Sequence, residues 1–161
     1  MSFTIGVDPG AGGAIAIVED DGSLVHVFDM PSVEIVVGGK AKRRVSPEML
    51  AAELRLYADQ GAVAVVEQVG AMPGQGVSSM FAFGQAFGIV LGVMAGLAIP
   101  VQTVTPGKWK KAAGLNAGKD AARAKAAQKW PAHAREFSRV KDDGKAEAAL
   151  IAAWGLNQAV P

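Results

Sequence analysis

The 161-residue sequence contains no cysteine and only two histidines. The first absence excludes thiolate catalysis, disulfides and cysteine-held zinc. The second leaves His26 and His133 as the sole imidazole ligands, one inside the strand-like run SLVHVFDM and the other in the irregular stretch WPAHAREF. Neither position reads as half of a metal pair, so a zinc hydrolase does not fit. Long hydrophobic runs are missing too. The longest, residues 86–101, contains three glycines and falls short of the ~20 residues that span a bilayer, so it reads as a buried or interfacial helix. No basic segment followed by an apolar one precedes the first strand, so no signal or transit peptide and a cytoplasmic location are expected. A net excess of either sign is nearly absent, with a net charge of +1, but the charges are unevenly placed. Residues 1–100 hold ten acids against five bases, and residues 101–161 hold five acids against eleven bases. That asymmetry predicts a basic face for a polyanion, built by the last third of the chain.

What is present fits one ordinary domain, residues 1–161, with half of its residues hydrophobic. The chain opens FTIGVDPGAGGAIAIVEDDG. An apolar run with the character of a strand buried on both faces ends at Asp8, and a proline and three glycines then free the backbone to turn. A second strand and the turn EDDG follow, then a third strand over residues 24–30. Residues 31–44 read as a loop-like insertion ending in GGKAKRR. Ser46 with Pro47 and Glu48 starts a helix that Gly61 ends, and AVAVVEQVG is a buried strand that delivers Glu67 near its end. Residues 70–79, GAMPGQGVSS, cannot be regular. A long helix over residues 80–97, a strand IPVQTV, two basic helices and a last helix DGKAEAALIAAWGL complete the chain. Three strands, a helix, a strand, a helix, a strand and further helices make an α/β order with a mixed sheet.

Acids then gather at particular places. An isolated carboxylate at the end of a buried strand is costly, so Asp8 and Glu67 both need partners. Asp143 and Glu147 stand four apart, about 40° round one helical face, where two like charges repel unless something cationic lies between them. Asp142 lies about 140° from Glu147, a poorer placement. Carboxylates from the first strand, the central strand and the last helix match an all-oxygen site for Mg²⁺ or Mn²⁺. Two such ions about 4 Å apart can activate a water and stabilise a leaving oxygen in phosphodiester hydrolysis.

Three further features suit a DNA partner. Lys108, Lys110, Lys111, Lys119 and Arg123 sit on two short helices, where they can neutralise phosphates. The loop after Glu67 offers Met72 and Pro73 as an apolar wedge, Gly74 for close backbone approach, and Gln75, Ser78 and Ser79 as hydrogen-bonding groups. The helix over 80–97 is apolar on most sides and must be buried all round, with Phe81, Phe87, Val90 and Met94 placed for a dimer interface and glycines recurring every four residues from 84 to 96 as a flat ridge.

IGVDPG, VVEQV with the flexible loop and FGQAFGIVLG, VTPGKWKK, and DDGKAEAALIA, taken in that order, resemble the RuvC-type Holliday-junction resolvases. The loop pattern MPGQGVSSMF is similar to the branch that holds phage RuvC-like proteins and the chloroplast resolvase. The resemblance implies an RNase H-like fold with a mixed five-stranded sheet, its first three strands antiparallel, flanked by helices. It also implies a homodimer that makes paired, metal-dependent nicks in four-way DNA junctions in a bacterial or phage-infected cell. By position, Asp8, Glu67, Asp143 and Glu147 become the catalytic and metal-binding acids, with Mg²⁺ or Mn²⁺ as cofactor and two ions per site. Relatives in this branch often carry His where Asp142 stands, and bacterial enzymes Asp where Glu147 stands, so Asp142 stays open beside Asp143. Two other readings compete. GVDPGAGGAIA also resembles the first phosphate loop of sugar kinases and actin-like ATPases, although those proteins need two such domains. A non-catalytic junction-binding module would keep the basic face and bind without cutting.

Overall fold

The computed structural model describes residues 1–158; the last three residues of the expected 1–161 domain lie outside the described residues. The first turn tightens after β1 (Phe3–Asp8), and β2 (Ala14–Glu19) and β3 (Leu24–Asp29) run back and forth from it as an antiparallel meander. β6 (Val63–Glu67) lies parallel to β1 on its other edge, and β7 (Val101–Val104) lies parallel to β6. The order β3-β2-β1-β6-β7 is a mixed five-stranded sheet with its first three strands antiparallel, as expected. β1 and β6 are the central strands. Their continuous apolar runs follow from helices covering both faces.

Successive residues of a strand point to opposite faces, and this divides the core in two. Phe3, Ile5 and Val7 face a cluster with Leu50, Leu54, Val90 and Met94 from α1 (Pro47–Asp59) and α2 (Val77–Gly96). Ser46 caps α1 as expected, its hydroxyl accepting from the Met49 N–H. Ala14, Ala16 and Val65 face the opposite cluster with α5 (Asp143–Leu156), α4 (Ala121–Lys129) and Trp109 of α3 (Pro106–Ala112). Thr4, Gly6 and Asp8 of β1 alternate onto this α5 side.

α5 crosses β1 unusually closely. A Cβ on Gly6 would lie 2.1 Å from the Ala148 carbonyl oxygen, and one on Gly144 would lie 3.1 Å from the Asp8 carboxylate. Only hydrogen at Gly6 lets the helix settle against the strand, a Cβ at Gly144 would press on the Asp8 carboxylate, and the alanines of α5 (146, 148, 149 and 152) complete the seam.

Two expectations need correction. Residues 31–44 are not a loop: Ser32–Val37 (β4) and Lys40–Val45 (β5) pair in full antiparallel register as a two-stranded ribbon. The Gly38-Gly39 turn between them has φ of 58° and 76°, the two positive values that a tight two-residue hairpin turn requires. The ribbon stands outside the main sheet and buries little but Val45; β5, KAKRRV, is charged enough to read as a loop, although β4, SVEIVV, is largely apolar. The long apolar helix is not buried all round either. α2 fully buries only Ala86, Val90 and Met94, one residue per turn, against the protein's own sheet. Val90 and Met94 are therefore unavailable to a second copy, whereas Phe81 is 73% exposed and Phe87 half-buried.

Candidate metal centre and nucleic-acid surface

β1 and β6 are parallel neighbours whose register ends with Val7 opposite Val66. The next residue on each strand is an acid, and both alternate onto the α5 side. α5, drawn in at Gly6 and Gly144, brings Glu147 over them. Asp8, Glu67 and Glu147 each offer a carboxylate oxygen within 4.8 Å of the others. Burial, followed by repulsion from Glu147 and Glu67, pushes the Asp8 carboxyl up to about 8. Burial also raises Glu147, with Lys110 opposing the shift and Glu67 and Asp143 adding to it. Three half-buried carboxylates that repel one another at a strand end form a site that a hard divalent cation would relieve. The donor set, all oxygen with no nitrogen or sulfur, fits Mg²⁺ or Mn²⁺ rather than zinc.

Two neighbours hold this cluster. The Trp109 indole N–H donates to Glu67 Oε2 at 2.6 Å, and the Trp109 side chain is wholly buried. Lys110, the next residue of α3, places its Nζ 4.0 Å from Glu147 Oε1 and 5.4 Å from the Trp109 ring centre. Sequence alone places Lys110 among the phosphate contacts and does not single out Trp109. The signal was there: a single tryptophan in the basic turn GKWKK has to be the buried side of that turn, and a buried indole needs an acceptor.

The other acids are placed differently. Asp143 starts α5 as expected but stands outside the three-carboxylate cluster, its Oδ1 accepting from Arg123 Nε at 2.8 Å. Arg123 also bonds the carboxylate of Asp120 and the Ser138 carbonyl, and its side chain is 12% exposed. That leaves Arg123 committed to protein groups rather than presented to DNA. Asp142 is 1% exposed and held by Arg139 through both carboxylate oxygens, which keeps its carboxyl below the ordinary range. It is tied up in a structural ion pair away from the cluster.

Lys108, Lys110, Lys111 and Lys119 are exposed, as are Met72, Pro73, Gly74, Gln75, Ser78 and Ser79. The loop leaves β6 directly after Glu67, and its last residues form the first turn of α2. A cavity of about 270 Å³ lies against the site, lined among others by Lys110, Lys119, Asp143 and Glu147 together with residues 115–118.

The fold can now be compared with known ones. The chain superposes on Thermus thermophilus RuvC in complex with a Holliday junction substrate with a TM-score of 0.62, over 96% of this chain and 94% of that one, at 17% identity. The chain has the RuvC fold. A second structure of Thermus thermophilus RuvC matches with a TM-score of 0.57 over 94% and 93% of the two chains, also at 17% identity. In sequence, the chain is similar to the chloroplastic Holliday junction resolvase MOC1 of Chlamydomonas reinhardtii, 33% identical over 92 residues. Those residues are 56% of this chain and 10% of that protein, so the chain matches about a tenth of the length of this curated relative. No protein-family model matches. In RuvC-fold terms the site lies at the carboxyl ends of the two central parallel strands, where open α/β sheets place ligands.

Proposed function

We propose that the protein is a divalent-metal-dependent endonuclease that resolves four-way DNA junctions by paired hydrolytic nicks, working as a homodimer. The convergence of Asp8, Glu67 and Glu147 on a RuvC fold carries this reading. These three acids would hold Mg²⁺ or Mn²⁺, two ions per site. Asp143 is assigned as the fourth acid, reached once Arg123 releases it. When bound, the cations supply an activated water and neutralise charge on the scissile phosphate.

The remaining work belongs to the chain's own side chains. Trp109 fixes one oxygen of Glu67 and so leaves the other free to face a cation. Lys110 offsets the negative charge of Glu147 and, with Lys108, Lys111 and Lys119, presents cations to the DNA backbone. The 70–76 loop with Ser78 and Ser79 lies within a few residues of Glu67. It is assigned to the junction centre, with Met72 and Pro73 as a wedge and Gln75 as a polar contact. The exposed side of α2, with Phe81 and the ridge of Gly84, Gly88, Gly92 and Gly96, is assigned to the second copy. No atom comes within 4 Å of a Cβ placed on any of these four glycines, so a partner backbone can approach there.

Incubating the protein with a synthetic four-way junction and Mg²⁺, with a linear duplex of the same sequence as control, tests this reading. Symmetric nicks near the crossover that EDTA abolishes are expected. Junction binding without cutting would favour a non-catalytic module instead.

A further inference from the structure

The β4–β5 ribbon has no part in the site described above, yet it carries a strong local charge. Lys40, Lys42, Arg43 and Arg44 lie within five residues, against the single acid Glu34 on the facing strand. Among the described residues, none of these four cations is in an ion pair; Arg43 donates to the Ser32 hydroxyl. The pairing register sorts them. Lys42 faces Ile35 and Arg44 faces Val33, whereas Arg43 faces Glu34. Residues directly opposite in an antiparallel pair share a face, so Lys40, Lys42 and Arg44 share one face with no acid, and Glu34 and Arg43 share the other.

The ribbon also borders a groove of about 850 Å³ that runs to the catalytic end of β1. Asp8, the turn of residues 9–13, Ile35, Lys42, Arg43 and Arg44 of the ribbon and Phe83 of α2 are among the residues that line it. A surface with this charge, in a groove whose lining reaches Asp8 at the end of β1, suits a polyanion. It suits a second ribbon poorly, because symmetric pairing of two such faces would bring like charges together.

We propose that the β4–β5 ribbon is a separate DNA-backbone surface, on which Lys42 and Arg44 hold phosphates of a duplex arm entering the Asp8 end of the groove. The proposal rests on the nuclease reading for its ligand, but the two can be tested apart. A β-ribbon can follow a duplex groove with its side chains alternating between phosphates and sugars, and the exposed Val36 and Val37 at the ribbon tip are apolar enough to lie against sugars.

The test compares the wild-type protein with the Lys42→Ala/Arg44→Ala double variant, measuring four-way junction binding by fluorescence anisotropy from 50 to 200 mM salt. Two lost phosphate contacts should flatten the slope of log affinity against log salt by about 1.8 and weaken binding about 50-fold near 0.1 M salt. The exposed side chains leave the core intact, so melting temperature and molar mass should stay those of the wild type. Equal affinity and slope in the variant, while the wild type still cuts junctions, would overturn the ribbon and leave the nuclease standing. A ribbon-dependent slope in a protein that binds but never cuts would support the ribbon and sink the nuclease reading. An unchanged slope with a changed molar mass would make the ribbon a contact between copies and overturn the proposal.

Discussion

α5 and α2 are the two longest helices, and they cover opposite faces of one sheet in opposite ways. α5 buries nine of its fourteen residues, four of them alanines, and comes so close to β1 that Gly6 must lack a side chain. α2 buries three of its twenty and leaves large side chains such as Phe81 and Phe83 in solvent. Small residues give close approach and a fixed position, and a fixed position is what three converging carboxylates need. Large apolar residues left uncovered give area, and area is what a partner needs. The sheet thus has a side on which the three carboxylates gather and a side that leaves apolar area uncovered, the proposed catalytic side and association side, although α2, alone among the described residues, is long and apolar enough to pass for a membrane span.

The largest expected effect breaks the catalytic side. Gly6→Ala forces a methyl into the Ala148 backbone and the Ala152 N–H. It should cost about 3 kcal/mol or more by overpacking, read as a fall in melting temperature, and should abolish cleavage because Glu147 moves away from Asp8. A stable, active Gly6→Ala variant would mean that α5 does not need this close approach.

The association side should respond to Phe81→Ala/Phe83→Ala. Equilibrium sedimentation should show dimer turning to monomer at micromolar concentration, with little change in unfolding of the monomer, since both side chains are already largely exposed. A wild type that is monomeric under the same conditions would remove the association side from the account.

Trp109→Phe sharpens the comparison within the catalytic side. The ring is kept and the N–H to Glu67 Oε2 is lost, so Mn²⁺ should bind roughly tenfold more weakly, about the worth of one hydrogen bond to a charged group. Calorimetric titration of Mn²⁺ separates this positioning role from a structural one, which would lower the melting temperature and leave the metal affinity alone.

A pH series follows from Asp8. Its carboxyl titrates near 8 in the folded protein against an ordinary value of 3.8, so the folded state holds a proton that the unfolded chain gives up. This contribution to the metal-free protein's stability should therefore be fully present below about pH 4, fall steadily as the pH rises from about 4 to about 8, and change no further above that window. Added Mg²⁺ should restore more at pH 8 than at pH 6, since a cation must displace that proton at the lower pH.

The smallest effect has the opposite sign to the first. Gly88→Ala on α2 meets no atom within 4 Å and should stabilise the isolated chain by up to about 1 kcal/mol through helix propensity, yet weaken self-association. A stability gain with unchanged association would place the partner away from the glycine ridge.

These regions were unequally legible in the sequence. Asp8 and Glu67 could be read because a buried strand ending in an acid is costly, and Glu147 because helical spacing fixes its face. Asp143 was grouped with Glu147 by that same spacing, but its partner is Arg123, twenty residues earlier on another helix, and no local pattern carries such a contact. Trp109 is bonded to Glu67 across forty-two residues; the turn GKWKK shows that its indole is buried and needs an acceptor, but not which one. The ribbon was missed although Gly38-Gly39 is a two-residue hairpin signal, because a strand pair exposed on both faces loses the polar and apolar alternation by which strands are recognised. For α2, composition gave the apolar surface correctly, but only the fold shows which row of residues the sheet takes and which it leaves.

The central claim is that the carboxylates gathered by β1, β6 and α5 form one metal-dependent cutting site. Single-turnover cleavage of a synthetic four-way junction by Asp8→Asn, beside junction binding by the same protein, tests it most directly. Cleavage in Mg²⁺ should be lost, by about a thousandfold or more, an effect of the size expected when a group stabilising transition-state charge is removed, while the junction is bound about as tightly as by the wild type. Wild-type cleavage by Asp8→Asn, or wild-type cleavage that persists in EDTA, would contradict it.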